Sequence, residues 1–349
     1  MTGVSRKRAF TLVEFVVVIV IVVVLVGLLL PAVSTCRGAA QRAQCQNNMM
    51  QIGLSFQNYA STYGGKFPAS CNFNATAGTI GGYSFLVKLL PYMEDSTDYD
   101  ALMKYDKIEP DLAANTASAT ALSRPMKDFM CPSNPNQTYT RSSSGSIAYF
   151  TNYKAMAATC KNSLLAIKAD KTSISSVASA LPYGTKEMHP DGAIYPSSKG
   201  IRMADITDGL SKTILCAETI DNVASRWTVG KEMYLVGMPN ATVVGATMDA
   251  TNTFYAPAGF DGTFGPNSYC SKKPYYTFLG YDFKTSKPGQ YEDAGFSKPS
   301  PVYGPSSGHA TVVMHAFGDG SVQQIIKDID PAAYMFLITK AGRDPFWLP

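Results

Sequence analysis

The chain has 349 residues, of which 46% are hydrophobic and only 16% are charged, and its formal net charge is +4. No basic stripe of the kind that binds nucleic acid is present in the sequence, so we expect no nucleic-acid partner. Seven cysteines are scattered without a C-x-x-C pair, and only three histidines occur, so metal-ligand spacing is absent. The composition, rich in Tyr, Ser, Thr, Gly and Pro, favours an exported, loop-rich domain. Because histidines are few and no paired carboxylates stand out, we expect no enzymatic activity and no cofactor.

The first element is an apolar run that follows three basic residues, Arg6, Lys7 and Arg8. Residues 10–30 form a stretch of 21 residues, roughly 30 Å long as a helix, which is enough to cross a bilayer. Glu14 is the only charged residue in this stretch. A carboxylate within a membrane costs about 2.5 kcal/mol or more, so Glu14 needs a partner or a purpose.

Two ordinary explanations of the apolar run leave Glu14 without a role. A secretory signal needs a small-residue cleavage site after the run, where Ser34 offers one. An uncleaved signal anchor needs only the basic residues, which would keep the N-terminus in the cytoplasm. Neither explanation accounts for a carboxylate at this position.

The motif Ala9-Phe10-Thr11-Leu12-Val13-Glu14 resembles the prepilin-type signal of type IV pilins and type II secretion pseudopilins. The resemblance implies cleavage between Ala9 and Phe10 by a prepilin peptidase, and N-methylation of Phe10 by the same partner. It also implies that Glu14 neutralises the terminal amine of a neighbouring subunit during assembly. Ala9 stands where the family more often has Gly.

Beyond the apolar run, residues 31–62 predict an amphipathic continuation of the helix. An apolar stripe recurs at helical spacing through Cys45, Met49, Ile52, Phe56 and Tyr59. The other face is uncharged but polar and carries Gln44, Asn47, Asn48, Gln51 and Gln57. We expect the stripe to pack on the chain's own globular domain, and the pair Gly64-Gly65 to end the helix.

Residues 63–349 predict an extracytoplasmic domain of α+β class, with a mostly antiparallel sheet and long loops. Residues 83–90 read as a buried helix or strand that Pro91 stops, and residues 213–217 as a strand. Residues 310–317 and 322–326 flank a Gly-Asp-Gly turn and predict a β-hairpin. Residues 236–305 suggest short strands joined by long loops.

Several blocks resemble the DUF1559 family, in that family's order. They are C-Q-N-N-M-M-Q-I-G-L from Cys45, Met130-Cys131-Pro132-Ser133, Asn152-Tyr153, and D-I-T-D-G-L-S-K-T-I-L from Asp205. His309 stands nine residues before Asp319-Gly320, which matches the H-x9-D-G signature of these proteins. The resemblance spans most of the chain and implies a shared fold, but it names no reaction.

The candidate sites in the domain are weak. A catalytic or metal pair of His309 and Asp319 is disfavoured, because a fully extended strand would hold them roughly 25–30 Å apart. We therefore expect Asp319 to form a turn and His309 to hydrogen-bond at the start of a strand. Asp205, Asp208 and Glu218 are the best acidic cluster for an ion, although turn formation alone explains the Asp residues.

The scattered cysteines allow one or two disulfides in an oxidising compartment, and Cys71 with Cys131 is the predicted pair. The odd number leaves at least one thiol unpaired within the chain.

The sequence thus predicts a leader (1–9), a transmembrane helix (10–30), its amphipathic continuation (31–62) and a globular domain (63–349). We interpret the chain as a pilin-like or pseudopilin-like subunit, single-pass in the inner membrane, with its N-terminus cytoplasmic and its domain periplasmic or extracellular. Its assembly partners would be like or related subunits. The alternatives are a signal-anchored protein that binds glycan or envelope polymer, and an anchored hydrolase.

Overall fold

A computed structural model describes residues 12–74, 79–93, 96–103, 125–134, 140–141, 147–160, 190–197, 199–220, 225–238, 247–248, 254–255, 305–327, 329 and 331–341. The chain forms two compact units, Met1–Ala43 and Gln44–Pro349.

Four helices and thirteen strands lie in the described residues. The helices are α1 (Leu12–Thr62), α2 (Phe85–Leu89), α3 (Ser96–Met103) and α4 (Pro331–Phe336). The strands are β1 (Lys66–Phe67), β2 (Asn72–Asn74), β3 (Thr79–Gly81), β4 (Thr140–Arg141), β5 (Ile147–Ala148), β6 (Tyr153–Cys160), β7 (Ile201–Arg202), β8 (Ile214–Glu218), β9 (Tyr234–Met238), β10 (Thr247–Met248), β11 (Phe254–Tyr255), β12 (Val312–Phe317) and β13 (Val322–Ile326). Short 3₁₀ turns occur at Leu90–Tyr92, Lys127–Phe129, Met203–Asp205, Leu210–Lys212 and Gly230–Glu232.

The N-terminal part of α1 is apolar and exposed. An 18-residue window reaches a mean hydropathy of 3.4, and none of it is buried. By length and composition this helix is a candidate membrane span or signal anchor. Pro31 lies inside the helix, and its carbonyl accepts hydrogen bonds from the hydroxyls of Ser34 and Thr35.

From Gln44 onward, α1 belongs to the folded domain. The predicted stripe is buried at Cys45, Met49, Ile52 and Phe56, and Tyr59 is half-buried. The expectation for the polar face is wrong at Asn48, which is buried. Its side-chain amide donates to the carbonyls of Lys127 and Met130, and these bonds compensate its burial. The helix ends before Gly64 and Gly65, whose positive φ angles of 64° and 74° terminate it as predicted.

A five-stranded mixed sheet forms the centre of the domain, with the strand order β13-β12-β8-β6-β9. Every neighbouring pair is antiparallel except β6 and β9, which are parallel. The described residues therefore confirm an α+β fold with a mostly antiparallel sheet.

Two of the three inner strands, β8 and β12, are buried on both faces, because helices cover both sides of the sheet. Every residue of β8 and β12 is buried. One face packs with the C-terminal part of α1 in a cluster that includes Met49, Ile52 and Leu215. The other face packs with α4 and the residues after it, through Phe317, Tyr334 and Ile338.

The local predictions in the described residues agree with these elements. Residues 83–90 contain the buried helix α2, which Ser84 caps, and Pro91 lies in the 3₁₀ turn that follows. The predicted hairpin is β12 and β13, paired from Val312↔Ile326 to Ala316↔Val322. The predicted strand at 213–217 is β8, shifted by one residue. Most of the predicted long-loop region, 236–305, lies outside the described residues.

Candidate functional site

The densest group of reactive side chains in the described residues is buried under the C-terminal part of α1. Cys45, Cys131, Glu218 and His309 each place a potential ligand atom within 4.8 Å of the others. Their exposed fractions are 0%, 0%, 1% and 5%, so water has little access to any of them. We call these four residues the Cys–His–Glu cluster.

The topology of the sheet brings the cluster together. Glu218 is the last residue of β8, and β8 runs antiparallel to β12. The end of β8 therefore lies beside the start of β12, which His309 precedes by three residues. Cys131 follows a 3₁₀ turn, and Cys45 lies on the buried stripe of α1.

Cys45 and Cys131 form a disulfide across 86 residues of sequence. The predicted pairing of Cys71 with Cys131 is therefore wrong. Cys71 is a buried free thiol, and burial raises its pKa to about 12. Spacing along the chain could not distinguish the two partners, because the choice depends on which face of α1 meets the loop at Cys131.

The two carboxyl oxygens of Glu218 differ in their hydrogen bonding. Its Oε2 accepts a hydrogen bond from the backbone N–H of Met314 at 3.3 Å, and the Ser307 hydroxyl also bonds to its side chain. Its Oε1 is buried and finds no hydrogen-bond donor among the described residues. Burial raises the pKa of Glu218 to about 7, against the lowering effect of these hydrogen bonds and of Lys327.

The Nε2 atom of His309 lies close to two other members of the cluster, Cys131 and Glu218. This nitrogen lies 3.6 Å from Cys131 Sγ and 3.8 Å from Glu218 Oε1. The distance to the carboxylate is too long for a hydrogen bond. The expectation that His309 only opens a strand thus missed its position in a buried cluster, although its backbone N–H does bond to Ser307 Oγ.

Buried polar side chains hold the backbone around the cluster. The Asn152 amide accepts from the N–H of Cys131 and donates to the carbonyl of Thr219, directly after Glu218. The Tyr153 hydroxyl donates to the carbonyl of Cys45, and Asn48 donates to the carbonyl of Met130. These three residues belong to the sequence blocks that resemble DUF1559, so those blocks build the surroundings of one site.

The other end of the H-x9-D-G signature docks on α1. Asp319 accepts a hydrogen bond from the N–H of Ser321, which confirms that it forms a turn. Gly320 has a φ of +86°, and its carbonyl comes so close to Gly53 that a Cβ there would be 2.9 Å away. Gln57 donates to the carbonyl of Gly318 in the same turn. His309 and Asp319 lie at opposite ends of β12 and form no pair.

The three residues of the predicted acidic cluster, Asp205, Asp208 and Glu218, have different partners in the structure. Asp205 forms an exposed ion pair with Arg202, with 2.7 Å between Oδ1 and the guanidinium, which holds the pKa of Asp205 below its usual value. The backbone N–H of Asp208 donates to the carbonyl of Lys340. Among the described residues, Glu218 groups with cysteine and histidine instead.

The predicted processing residues, Ala9 and Phe10, lie outside the described residues. Glu14 lies in the first turn of α1, on its exposed part. Glu14 therefore lies on the apolar part of the helix, and its role in assembly stays a prediction.

The described residues define a class of protein with one exposed apolar helix, a candidate membrane anchor, joined to an α+β domain. Residues 34–332 match the family described as "Protein of unknown function (DUF1559)", and the chain belongs to this family. The match confirms the family that the sequence blocks indicated. Neither the curated proteins nor the solved structures give a match to this chain.

Proposed function

We propose that this protein is a pilin-like or pseudopilin-like subunit, part of a type II secretion or type IV pilus-like assembly. The observation that carries the proposal is the N-terminal part of α1, where every side chain from residue 12 to residue 30 is exposed and Glu14 is the only charge.

An exposed surface of this kind needs a non-aqueous neighbour. Removing apolar surface from water yields about 25 cal/mol per Å², so a helix with this composition is unstable in water on its own. Lipid covers such a surface before assembly, and the helices of neighbouring subunits cover it afterwards. None of the most apolar 18 residues of this helix is buried.

Glu14 gives the helix a specific reason to associate. A carboxylate within a membrane seeks a positive partner, and cleavage between Ala9 and Phe10 would create one as the new amino terminus. Four residues of helix correspond to roughly 6 Å along the axis. A neighbouring subunit shifted by about this rise would place its Phe10 amine beside Glu14.

The orientation, the processing and the role of the domain are inferred from the sequence. Arg6, Lys7 and Arg8 favour a cytoplasmic leader, which places the domain outside the inner membrane. A prepilin peptidase with methyltransferase activity would process the leader. The domain would act as a structural module without an enzymatic activity or a nucleic-acid partner.

Mass spectrometry of the mature N-terminus tests the processing step. We expect protein co-expressed with a prepilin peptidase to begin at an N-methylated Phe10. An intact Met1, or a cut after residue 30, would contradict the proposal and favour a signal anchor or a secretory signal.

Cross-linking through Cys36 tests assembly, because Cys36 is an exposed free thiol on α1. A flexible bifunctional thiol reagent added to membranes should link neighbouring subunits through Cys36. Glu14→Ala should be processed normally yet lose the cross-linked species. Val18→Ala, which trims the same helix without removing a charge, is the matched control and should cross-link like the wild type. Undiminished cross-linking of Glu14→Ala would show that the helix is only an anchor.

A further inference from the structure

We propose that Cys45, Cys131, His309 and Glu218 bind a Zn²⁺ ion when the two cysteines are reduced. The proposal is independent of the pilin-like function, because it concerns only the buried interior of the domain. The disulfide and the bound ion would be alternative states of one site.

The donor set is the first support. Two thiolates, an imidazole nitrogen and a carboxylate oxygen are ligands that zinc takes in proteins, usually four at a time and tetrahedrally. The four side chains come from α1, the loop at Cys131, β8 and the loop before β12, and their potential ligand atoms lie within 4.8 Å of one another. Four protein ligands leave no open position, which is the arrangement of a structural rather than a catalytic zinc site.

The distances support the same conclusion. Tetrahedral zinc with typical bond lengths would separate a sulfur from a nitrogen ligand by about 3.6 Å and a nitrogen from an oxygen ligand by about 3.4 Å. The corresponding distances are 3.6 Å between Cys131 Sγ and His309 Nε2, and 3.8 Å between His309 Nε2 and Glu218 Oε1. The sulfur–nitrogen distance thus matches that of a shared ion, and the nitrogen–oxygen distance is longer than the expected value by about 0.4 Å.

The unsatisfied oxygen of Glu218 is an independent indication. A buried carboxylate oxygen without a hydrogen bond is costly, so native structures rarely keep one without a purpose. Oε1 of Glu218 is such an atom among the described residues, whereas Oε2 is held by the Met314 N–H. The arrangement fixes the carboxylate and directs its other oxygen at the cluster, as outer hydrogen bonds do for metal ligands.

Charge also balances at this site. Zn²⁺ with two thiolates and one carboxylate carries a net charge of −1. Lys327 is buried, and its Nζ donates to the carbonyls of Ser307 and His309. A positive charge therefore lies against the loop that carries the histidine. The lysine thus compensates the remaining negative charge.

The chemical step conserves electrons and protons. In the reduced chain Zn²⁺ displaces one proton from each thiol as two Zn–S bonds form. Oxidation by a disulfide reagent removes two electrons from the two thiolates, breaks both Zn–S bonds, forms the S–S bond of Cys45 and Cys131, and releases Zn²⁺. The oxidant is reduced to two thiolates, which take up two protons from water to become thiols. Tetrahedral coordination requires the sulfurs to separate to about 3.7 Å, which rotation of the cysteine side chains provides.

The test measures zinc and thiols together in the full-length protein in detergent. The protein is reduced, loaded with Zn²⁺, freed of excess metal and analysed by mass spectrometry for bound zinc. We expect about one zinc per chain, and oxidation should release it with the loss of two thiols for each ion. Loading with Co²⁺ should give a thiolate-to-cobalt charge-transfer band.

Matched variants locate the ion. Glu218→Gln and His309→Gln should weaken zinc binding by more than about 100-fold, since even outer-shell changes cost about 10–100-fold. Cys216→Ser, which changes another buried free thiol, should bind like the wild type. Glu218→His supplies a different zinc ligand and should retain binding, which separates loss of a ligand from loss of the fold.

Three results would overturn the proposal. The first is a reduced wild-type chain that takes up no zinc. The second is zinc binding that the Glu218→Gln and His309→Gln variants leave unchanged, which would indicate an adventitious ion only. The third is zinc that remains bound after the Cys45–Cys131 disulfide has formed.

Discussion

At the scale of single residues, His315 shows how burial fixes a protonation state. Its Nδ1 lies 3.0 Å from the carbonyl of Val313, which can only accept, so Nδ1 carries the proton. Its Nε2 then accepts from the Tyr334 hydroxyl at 2.8 Å. Burial lowers the pKa of His315 to about 3, which outweighs the hydrogen bond to Val313. The ring is therefore neutral in the folded protein.

This neutrality predicts a loss of stability in acid. Between pH 6.5 and about 3 the unfolded chain binds a proton at His315 that the folded chain does not, so stability falls as the pH falls. At pH 5 this contribution is about 2 kcal/mol. We expect the stability difference between wild type and His315→Gln to shrink by about that amount from pH 7 to pH 5, measured by denaturant unfolding.

The comparison with the variant is needed because Glu218 acts in the opposite direction. Its pKa is raised to about 7, so the folded chain holds a proton between pH 4.5 and 7 that the unfolded chain releases. Glu218 is present in both proteins, and its contribution cancels in the difference. A stability difference that stays constant from pH 7 to pH 5 would contradict a neutral His315.

At the scale of elements, the contact between α1 and the β12–β13 turn depends on glycine. A Cβ on Gly53 would meet the Gly320 carbonyl oxygen at 2.9 Å and two further backbone atoms of Gly320 at 3.5 Å. Backbone atoms cannot swing away as a flexible side chain can. The helix and the turn approach closely only because neither residue has a side chain at this point.

Gly53→Ala should therefore destabilise the domain. Overpacking costs about 1–3 kcal/mol, against a gain of about 1 kcal/mol from the higher helix propensity of alanine. We expect a net loss of up to about 2 kcal/mol, seen as a lower denaturation midpoint. Gly38→Ala is the control, because Gly38 lies in the same helix with nothing within 4 Å of its added Cβ. Equal stability of the two variants would argue against a tight contact.

At the scale of the whole molecule, the Cys45–Cys131 disulfide ties α1 to a loop 86 residues away. Closing a loop of this length restricts the conformations of the unfolded chain, and a disulfide typically contributes about 2–4 kcal/mol to stability. The Cys45→Ala/Cys131→Ala double variant should unfold at a correspondingly lower denaturant concentration than the oxidised wild type. Cys36→Ser removes an exposed free thiol and should leave the midpoint unchanged.

The double variant should still fold, because Met49, Ile52 and Phe56 stay buried against the sheet without the disulfide. We expect a cooperative transition with a lower midpoint. An unchanged midpoint would show that the disulfide contributes nothing to the stability of the oxidised domain.

Local patterns were predictable from the sequence, because their periodicity and turn residues lie within a few positions of one another. Local patterns of this kind predicted the apolar half of α1, its buried stripe, the glycines that end it and the hairpin around Asp319. Asn48 is a residue of this helix whose burial the periodicity did not predict. Its burial depends on hydrogen bonds to the carbonyls of Lys127 and Met130, which are distant in sequence.

The sequence by itself determined the candidate membrane helix, the amphipathic continuation and the family. Only the tertiary structure decided the partner of Cys131, the close approach at Gly53 and the Cys–His–Glu cluster. The physical reason is distance along the chain: Cys131 and His309 lie 178 residues apart, and Gln57 and Gly318 lie 261 apart. Such pairs meet because β12 lies beside β8 and beneath α1, and no spacing rule encodes that arrangement.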